Sequence, residues 1–147
     1  MVLDCFSRRV VGWAMAEHLR SELVVDALQM AIWNRRPAAG AVLHSDHGWQ
    51  PTSWAFGHRL REAGLLGSMG SIGDCFDNSL AQSFFATLQT ELLDRRSWPT
   101  REALANAEFA FIEGLYNPRR RHSTLGYLSP ADHETNYWAG HPTRSVA

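Results

Sequence analysis

The stretch HSDHGWQ (44–50) sets one carboxylate, Asp46, between two imidazoles, His44 and His47. Such a group offers metal ligands or an acid–base pair, and it follows a short apolar run, the kind of strand end where chemistry is often delivered. A lone HxxH with one acid is incomplete for zinc, which needs a further ligand. The plainer use of Asp46 is to cap or turn the chain through local backbone hydrogen bonds. Spacing alone leaves both uses open. A second stretch, DNSLAQSFF (77–85), presents a single polar side chain, Gln82, inside an amphipathic pattern. A metal-assisted nuclease would need an acid there, and this is a neutral amide. A third stretch, RRRH (119–122), gathers Arg119, Arg120, Arg121 and His122 just after Tyr116 and Asn117. Planar guanidinium forks grip phosphate oxygens, so this run predicts an exposed phosphate-binding patch; a solvated charge run is the alternative.

These residues need a scaffold. A chain of 147 residues with 45% apolar content and six Trp can fill one core, so a single domain is expected. The net charge of −1 does not announce a polyanionic partner, so any nucleic-acid contact must be local. All 14 basic residues are Arg, a bias that a GC-rich genome also produces. Cys5 and Cys75 lack CxxC spacing and are expected as buried thiols. No run of apolar residues long enough to span a bilayer occurs, and a cytoplasmic protein without a membrane partner is expected.

VLDCFS (2–7) and RRVVGWAMA (8–16) read as a β-hairpin about a polar turn, with Arg8 and Arg9 at the surface. From Ser21, Val24, Val25, Leu28, Ala31 and Ile32 recur at helical spacing until Pro37. AVLHSD (41–46) predicts a buried strand, residues from Thr52 or Ser53 to Ala63 a helix ended by Gly64, and LLGSMG (65–70) a further strand. SIGDCFD (71–77) reads as a loop, after which Asp77 or Asn78 caps a helix burying Ala81, Phe84, Phe85, Leu88 and Leu92. Thr100 caps another helix, with Ala103, Ala107, Phe111 and Leu115 on one side, that gives way at Asn117-Pro118. Arg95 and Arg96 suit a helix C-terminus, and Ser129-Pro130 opens a last short helix.

Taken together, HSDHGWQPTSWAF, GDCFDNSLAQSFFATLQTELL and YNPRRRHSTLGYLSPAD resemble the integrase catalytic core of bacterial insertion-sequence transposases of the IS-three type, relatives of retroviral integrases. The resemblance runs from about residue 2 to about residue 138 and implies an integrase core-like domain over 1–138 with a flexible tail over 139–147. It implies a ribonuclease-H-like α/β fold, a mixed sheet flanked by helices. Two Asp and one Glu in that family hold two Mg²⁺ ions that cut and join DNA. Hard oxygen ligands and negative charge suit Mg²⁺, and a metal pair clamps the attacking and leaving oxygens.

In this sequence the second Asp position matches Asp46 and the Glu position matches Gln82, with 35 residues between them. The first Asp belongs to a strand expected upstream of Met1, which would leave the sheet without that strand. Asp4 matches a later strand and a structural or supporting role. Glu91 lies nine residues beyond Gln82; at about 100° per residue it points to the opposite side of the helix and cannot serve the same metal. Trp49 and Pro51 also depart from the family pattern. The resemblance therefore implies a bacterial DNA-transposition protein of the cytoplasm, nucleoid-associated when bound to DNA, whose Mg²⁺ site is weakened and whose activity is defective. Its partners would be transposon-end and target DNA and other transposase subunits or copies of itself. A non-catalytic DNA- or subunit-binding remnant is the alternative, and a hydrolase built on His44, Asp46 and His47 is a weaker one.

Overall fold

A computed structural model describes residues 1–15, 21–45, 54–69 and 74–141. The chain divides into two compact units: Met1–Leu3 with Val10–Ala86, and Asp4–Arg9 with the residues from Thr87 onward.

In the first unit, β1 (Val2–Leu3) pairs antiparallel with β2 (Val10–Gly12), which is the expected hairpin with shorter strands. Helix α1 (Ser21–Arg35) packs on β2 and stops two residues before Pro37, as its spacing predicted. The contact is unusually close. Gly12 lies so near α1 that a Cβ on it would sit 2.0 Å from the Ala27 carbonyl oxygen and 2.8 Å from the Ala31 nitrogen. The Asn34 amide then donates to the Val11 carbonyl at 2.9 Å, fixing the end of the helix over the strand.

β3 (Val42–Ser45), α2 (Trp54–Glu62) and β4 (Leu66–Met69) follow, with β3 and β4 parallel and in register from Val42 opposite Leu66 to Ser45 opposite Met69. Leu28, Phe56 and Leu60 form the buried cluster, flanked by Val24, Val25, Ile32, Leu43 and Leu65. Gly64, at φ +67°, takes the left-handed turn that ends α2, and its carbonyl accepts from the Gly40 N–H at 2.8 Å. The expected burial of β3 does not hold. Val42 and Leu66, directly opposite each other, are 50% and 58% exposed, because among the described residues the strands form two separate two-stranded sheets and these two side chains lie uncovered.

Helix α3 (Asp74–Glu91) begins earlier than expected. Asp77 and Asn78 are inside it and not at its cap, since no Gly or Pro after Gly73 halts the helix. Phe84 and Leu88, one turn apart, are buried, and Leu92 is half-buried just beyond the helix. Phe85, about 100° round the helix from Phe84, is half exposed and only touches it edge-on, so the buried stripe is narrower than the sequence implied.

In the second unit, α4 (Arg101–Phe111) has the predicted Thr100 cap, whose side chain accepts from the Ala103 N–H at 3.1 Å. The helix does not give way at Asn117-Pro118. It passes through a π-turn (Ile112–Tyr116) into a last turn, α5 (Asn117–Arg119). The wider turn shifts the register, so Ile112 and Tyr116 are buried while Leu115 is exposed. α6 (Pro130–Gly140) packs against α5; Ser129 caps it by accepting from the Asp132 N–H. The turn Asp4–Arg9 belongs to this unit: Arg9 pairs with Glu134 of α6 at 3.0 Å, and the Phe6 ring meets those of His133 and Tyr137 at 4.8 Å. Cys5 is exposed on this turn, not buried as expected, because Asp4 and Ser7 turn inward around it. Cys75 lies in α3.

Candidate functional site

β3 carries His44 near its end, with an exposed side chain, and terminates at Ser45. Asp46 and His47 fall immediately afterwards and lie outside the described residues. Among the described residues no group of three His, Cys, Asp or Glu side chains converges as metal ligands would. Gln82 stands on α3, two residues before buried Phe84; about 200° of helix rotation turns it away from the buried stripe, and its side chain is exposed. The donor at this position is thus a solvent-facing neutral amide. Magnesium prefers carboxylate oxygens, so this part of the expected ligand set fits a Mg²⁺ pair poorly.

Among the described side chains of the helix, no acid takes its place. Glu91 faces elsewhere and is engaged by the Arg120 guanidinium, both side chains being about one-third exposed (32% and 30%). Asp4 has the structural role expected of it: its Oδ1 accepts from the Phe6 N–H at 2.8 Å and the Ser7 N–H at 3.1 Å, holding the hairpin turn.

The run of basic residues is more internal than its composition implied. Arg119 and Arg121 are exposed, but Tyr116 and Asn117 are 3% and 2% exposed, and Arg120 is tied to Glu91. The continuous helix causes this, because it draws residues 116 and 117 into the core before the chain turns out. Tyr116 and Asn117 therefore serve as support for the patch and not as its surface. His122 packs edge-on against Tyr116 at 5.2 Å between ring centroids, and its backbone bridges to Leu128. Burial, reinforced by the Arg8 and Arg120 charges, lowers the His122 imidazole to a pKa of about 4. Burial raises the Tyr116 phenol, partly opposed by the same two arginines.

Sequence reasoning missed Arg8, read as a surface residue and here electrostatically coupled to both rings, and it missed the pairing of Arg9 with Glu134. No local pattern links residues 125 positions apart, so no spacing signal existed to find the second. Arg95, by contrast, does what its position implied: its Nε donates to the Thr90 carbonyl at the end of α3.

The His122 shift has a measurable consequence. Its folded pKa lies below the ordinary 6.5, so the unfolded chain takes up this proton first as pH falls. The stabilisation is full above the unfolded value and is lost as pH drops toward the folded one. After discounting for partial exposure, about 1 kcal/mol should be lost between pH 7 and 5. Glu108, whose carboxyl is raised by burial, works in the opposite sense. Urea unfolding of the chain beside His122→Asn isolates the His122 part; equal pH dependence in both proteins would contradict it.

The Integrase core domain family matches residues 1–75, and a second Integrase core domain family matches residues 64–130. The chain belongs to the integrase core domain family. The mixed α/β structure, with its antiparallel hairpin and parallel β3–α2–β4 unit, fits the ribonuclease-H-like fold of that family. The chain is 40% identical over 138 residues to the transposase for insertion sequence element IS629 of Shigella sonnei, a match covering 94% of this chain and 46% of that protein. It is 39% identical over 134 residues to the transposase InsF for insertion sequence IS3A of Escherichia coli strain K12, covering 91% of this chain and 46% of the relative. The chain spans about half the length of these curated relatives. No solved structure matches it. Among the described residues, no helix of this integrase core is long and apolar enough to cross a membrane.

Proposed function

We propose that this integrase core acts on DNA in the transposition of an insertion sequence, and that the chain binds DNA while being defective in cutting and joining it. The observation that carries the reading is Gln82, an exposed amide on α3 at the position where the family resemblance calls for a carboxylate. The ancestral chemistry would be Mg²⁺-dependent phosphodiester cleavage and strand transfer, with Asp46 and the residue at position 82 as ligands. An amide oxygen brings no charge to a divalent ion, so Gln82 would hold such a metal only weakly. Exposed Arg119 and Arg121 supply the phosphate contacts, with Arg120, His122, Tyr116 and Asn117 as their support.

The relatives are transposases of whole insertion elements, which favours transposon-end and target DNA as partners, together with other transposase subunits or further copies of this chain. The integrase core domain is assigned to residues 1–138, and the site of action to the bacterial cytoplasm, on the nucleoid. A test is to incubate the chain with supercoiled plasmid DNA and Mg²⁺ while measuring binding to a labelled duplex. Retained binding without nicking is expected. Mg²⁺-dependent nicking by the unaltered chain would overturn the defective reading, and loss of all binding would overturn the DNA-contact reading.

A further inference from the structure

Two tryptophans stand out on the surface of the first unit: Trp33, in the last turn of α1, is 72% exposed, and Trp54, which opens α2, is 75% exposed. The Trp54 ring lies against that of His58, 4.7 Å between centroids. Trp33 meets no other ring among the described residues and instead lines an open groove of about 400 Å³ between α1 and α2. That volume falls within the roughly 300–1,000 Å³ of small-molecule sites. Ile32, Pro37 and Ala63 give the groove an apolar lining, and Arg36 and Arg59 bring guanidiniums to it.

The two guanidiniums are not equivalent. Arg59 is paired with Glu62 at 2.9 Å, so its charge is cancelled locally and it serves as a wall. Arg36 is exposed and has no ion-pair partner among the described residues. Its backbone is left-handed at φ +44°, with its N–H donating to the Ile32 carbonyl at 2.8 Å to close α1. Gly or Asn is the usual residue at such a helix end. A cation there does gain from the helix dipole, but Arg35, one residue earlier, already supplies it without a left-handed backbone. The strained position of Arg36 thus points to a use for its side chain beside the Trp33 indole.

We propose that this groove holds one unpaired nucleotide of a DNA strand, with its base stacked on the Trp33 indole and its phosphate on the Arg36 guanidinium. Every base has a flat face that stacks on an aromatic ring, whatever the sequence. A phosphodiester carries a single negative charge, equal to the one uncancelled guanidinium, and its oxygens accept from the planar fork. In a duplex the base faces are covered by their neighbours, so the groove selects an unpaired strand. An apolar protein segment would cover the indole but leave the Arg36 charge unmatched. The inference rests on the DNA reading given above and adds a single-strand site to the contacts of Arg119 and Arg121.

Two measurements separate the groove from that reading. Binding of a labelled oligothymidylate strand, and of a labelled duplex, is followed across salt concentrations for the unaltered chain, Trp33→Ala, Trp33→Phe, Arg36→Asn and, as a control outside the groove, Trp54→Ala. Positions 33 and 36 are exposed and Asn tolerates the left-handed backbone, so the fold should be kept, which circular dichroism checks. Trp33→Ala should weaken strand binding about tenfold, the loss of one stacked base, and Trp33→Phe should keep most of it. Arg36→Asn should make the log–log salt slope for the strand shallower by about 0.7, the value for one phosphate of a single strand. Duplex binding by Trp33→Ala and strand binding by Trp54→Ala should match the unaltered chain. In the second measurement the dinucleotide thymidylyl-thymidine, and separately diethyl phosphate, is titrated while the Trp33 indole N–H signal, identified by its absence in Trp33→Phe, is followed by NMR. A saturable shift with the dinucleotide, weaker in Arg36→Asn and absent with diethyl phosphate, is expected even if neither strand nor duplex binding is seen, in which case the DNA reading falls and the nucleotide site stands. Unchanged strand affinity in Trp33→Ala, with the duplex still bound, overturns the groove and leaves the DNA reading standing; an unmoved Trp33 signal overturns the groove if no strand binds. Equal losses for strand and duplex overturn it as well, and so does a loss of self-association in Trp33→Ala with strand binding unchanged, which would make the groove a protein contact.

Discussion

Gly12→Ala should destabilise the first unit by about 3 kcal/mol or more, near the upper end for overpacking. The added Cβ would meet the Ala27 carbonyl oxygen at 2.0 Å and the Ala31 backbone nitrogen at 2.8 Å, and backbone cannot swing aside as a flexible side chain can. Either β2 or α1 must move. Moving α1 displaces Leu28, which is 1% exposed at the centre of the buried cluster with Phe56 and Leu60. Marginal domains hold only about 5–15 kcal/mol in total, so such a loss is a large share of the whole. Gly57→Ala is the informative comparison. Its Cβ would meet nothing closer than the end of the Arg61 side chain at 3.5 Å, and Ala is favoured over Gly within a helix such as α2 by about 0.5–1 kcal/mol. Denaturant unfolding of the two variants should move in opposite directions; a Gly12→Ala chain as stable as the unaltered one would remove the close-packing account of this strand.

Gln82→Glu should tighten divalent-cation binding by about tenfold or more, read by Mn²⁺ relaxation or by Mg²⁺ calorimetry. Affinity in oxygen-ligand sites follows the number of ligand charges, and this change adds one without altering side-chain length. The site is exposed on α3, so the substitution carries little folding cost and its effect is on the metal. A general gain in negative charge would also attract cations, and Ser83→Glu, exposed about 100° further round the same helix, measures that contribution. Equal gains at positions 82 and 83 would sink the assignment of Gln82 to the ligand set, whereas a gain confined to 82 supports it.

The order of elements was legible because it rests on local physics. Hydrophobic spacing marked α1, α3 and α4, Thr100 and Ser129 marked two helix starts, and Gly64 marked the end of α2. Motif spacing also placed Gln82 on an exposed helical face and gave Asp4 its structural role. The family followed from three motifs distributed along nearly the whole chain, and the matched domains agree.

Tertiary structure decided what depends on neighbours distant in sequence. A strand that reads as buried becomes half exposed when, among the described residues, no further strand covers Val42 and Leu66, and a five-residue π-turn was enough to bury Tyr116 and expose Leu115. The basic run showed its charges in sequence, but not that Arg120 would be taken by Glu91. Burial and ion pairing are set by which surfaces meet, and that requires the long-range packing of a turn near residue 8 on a helix near residue 134. By itself the sequence determined the helices, the strands, the family and the amide at position 82; the packing decided which of its charged side chains remain available to a ligand.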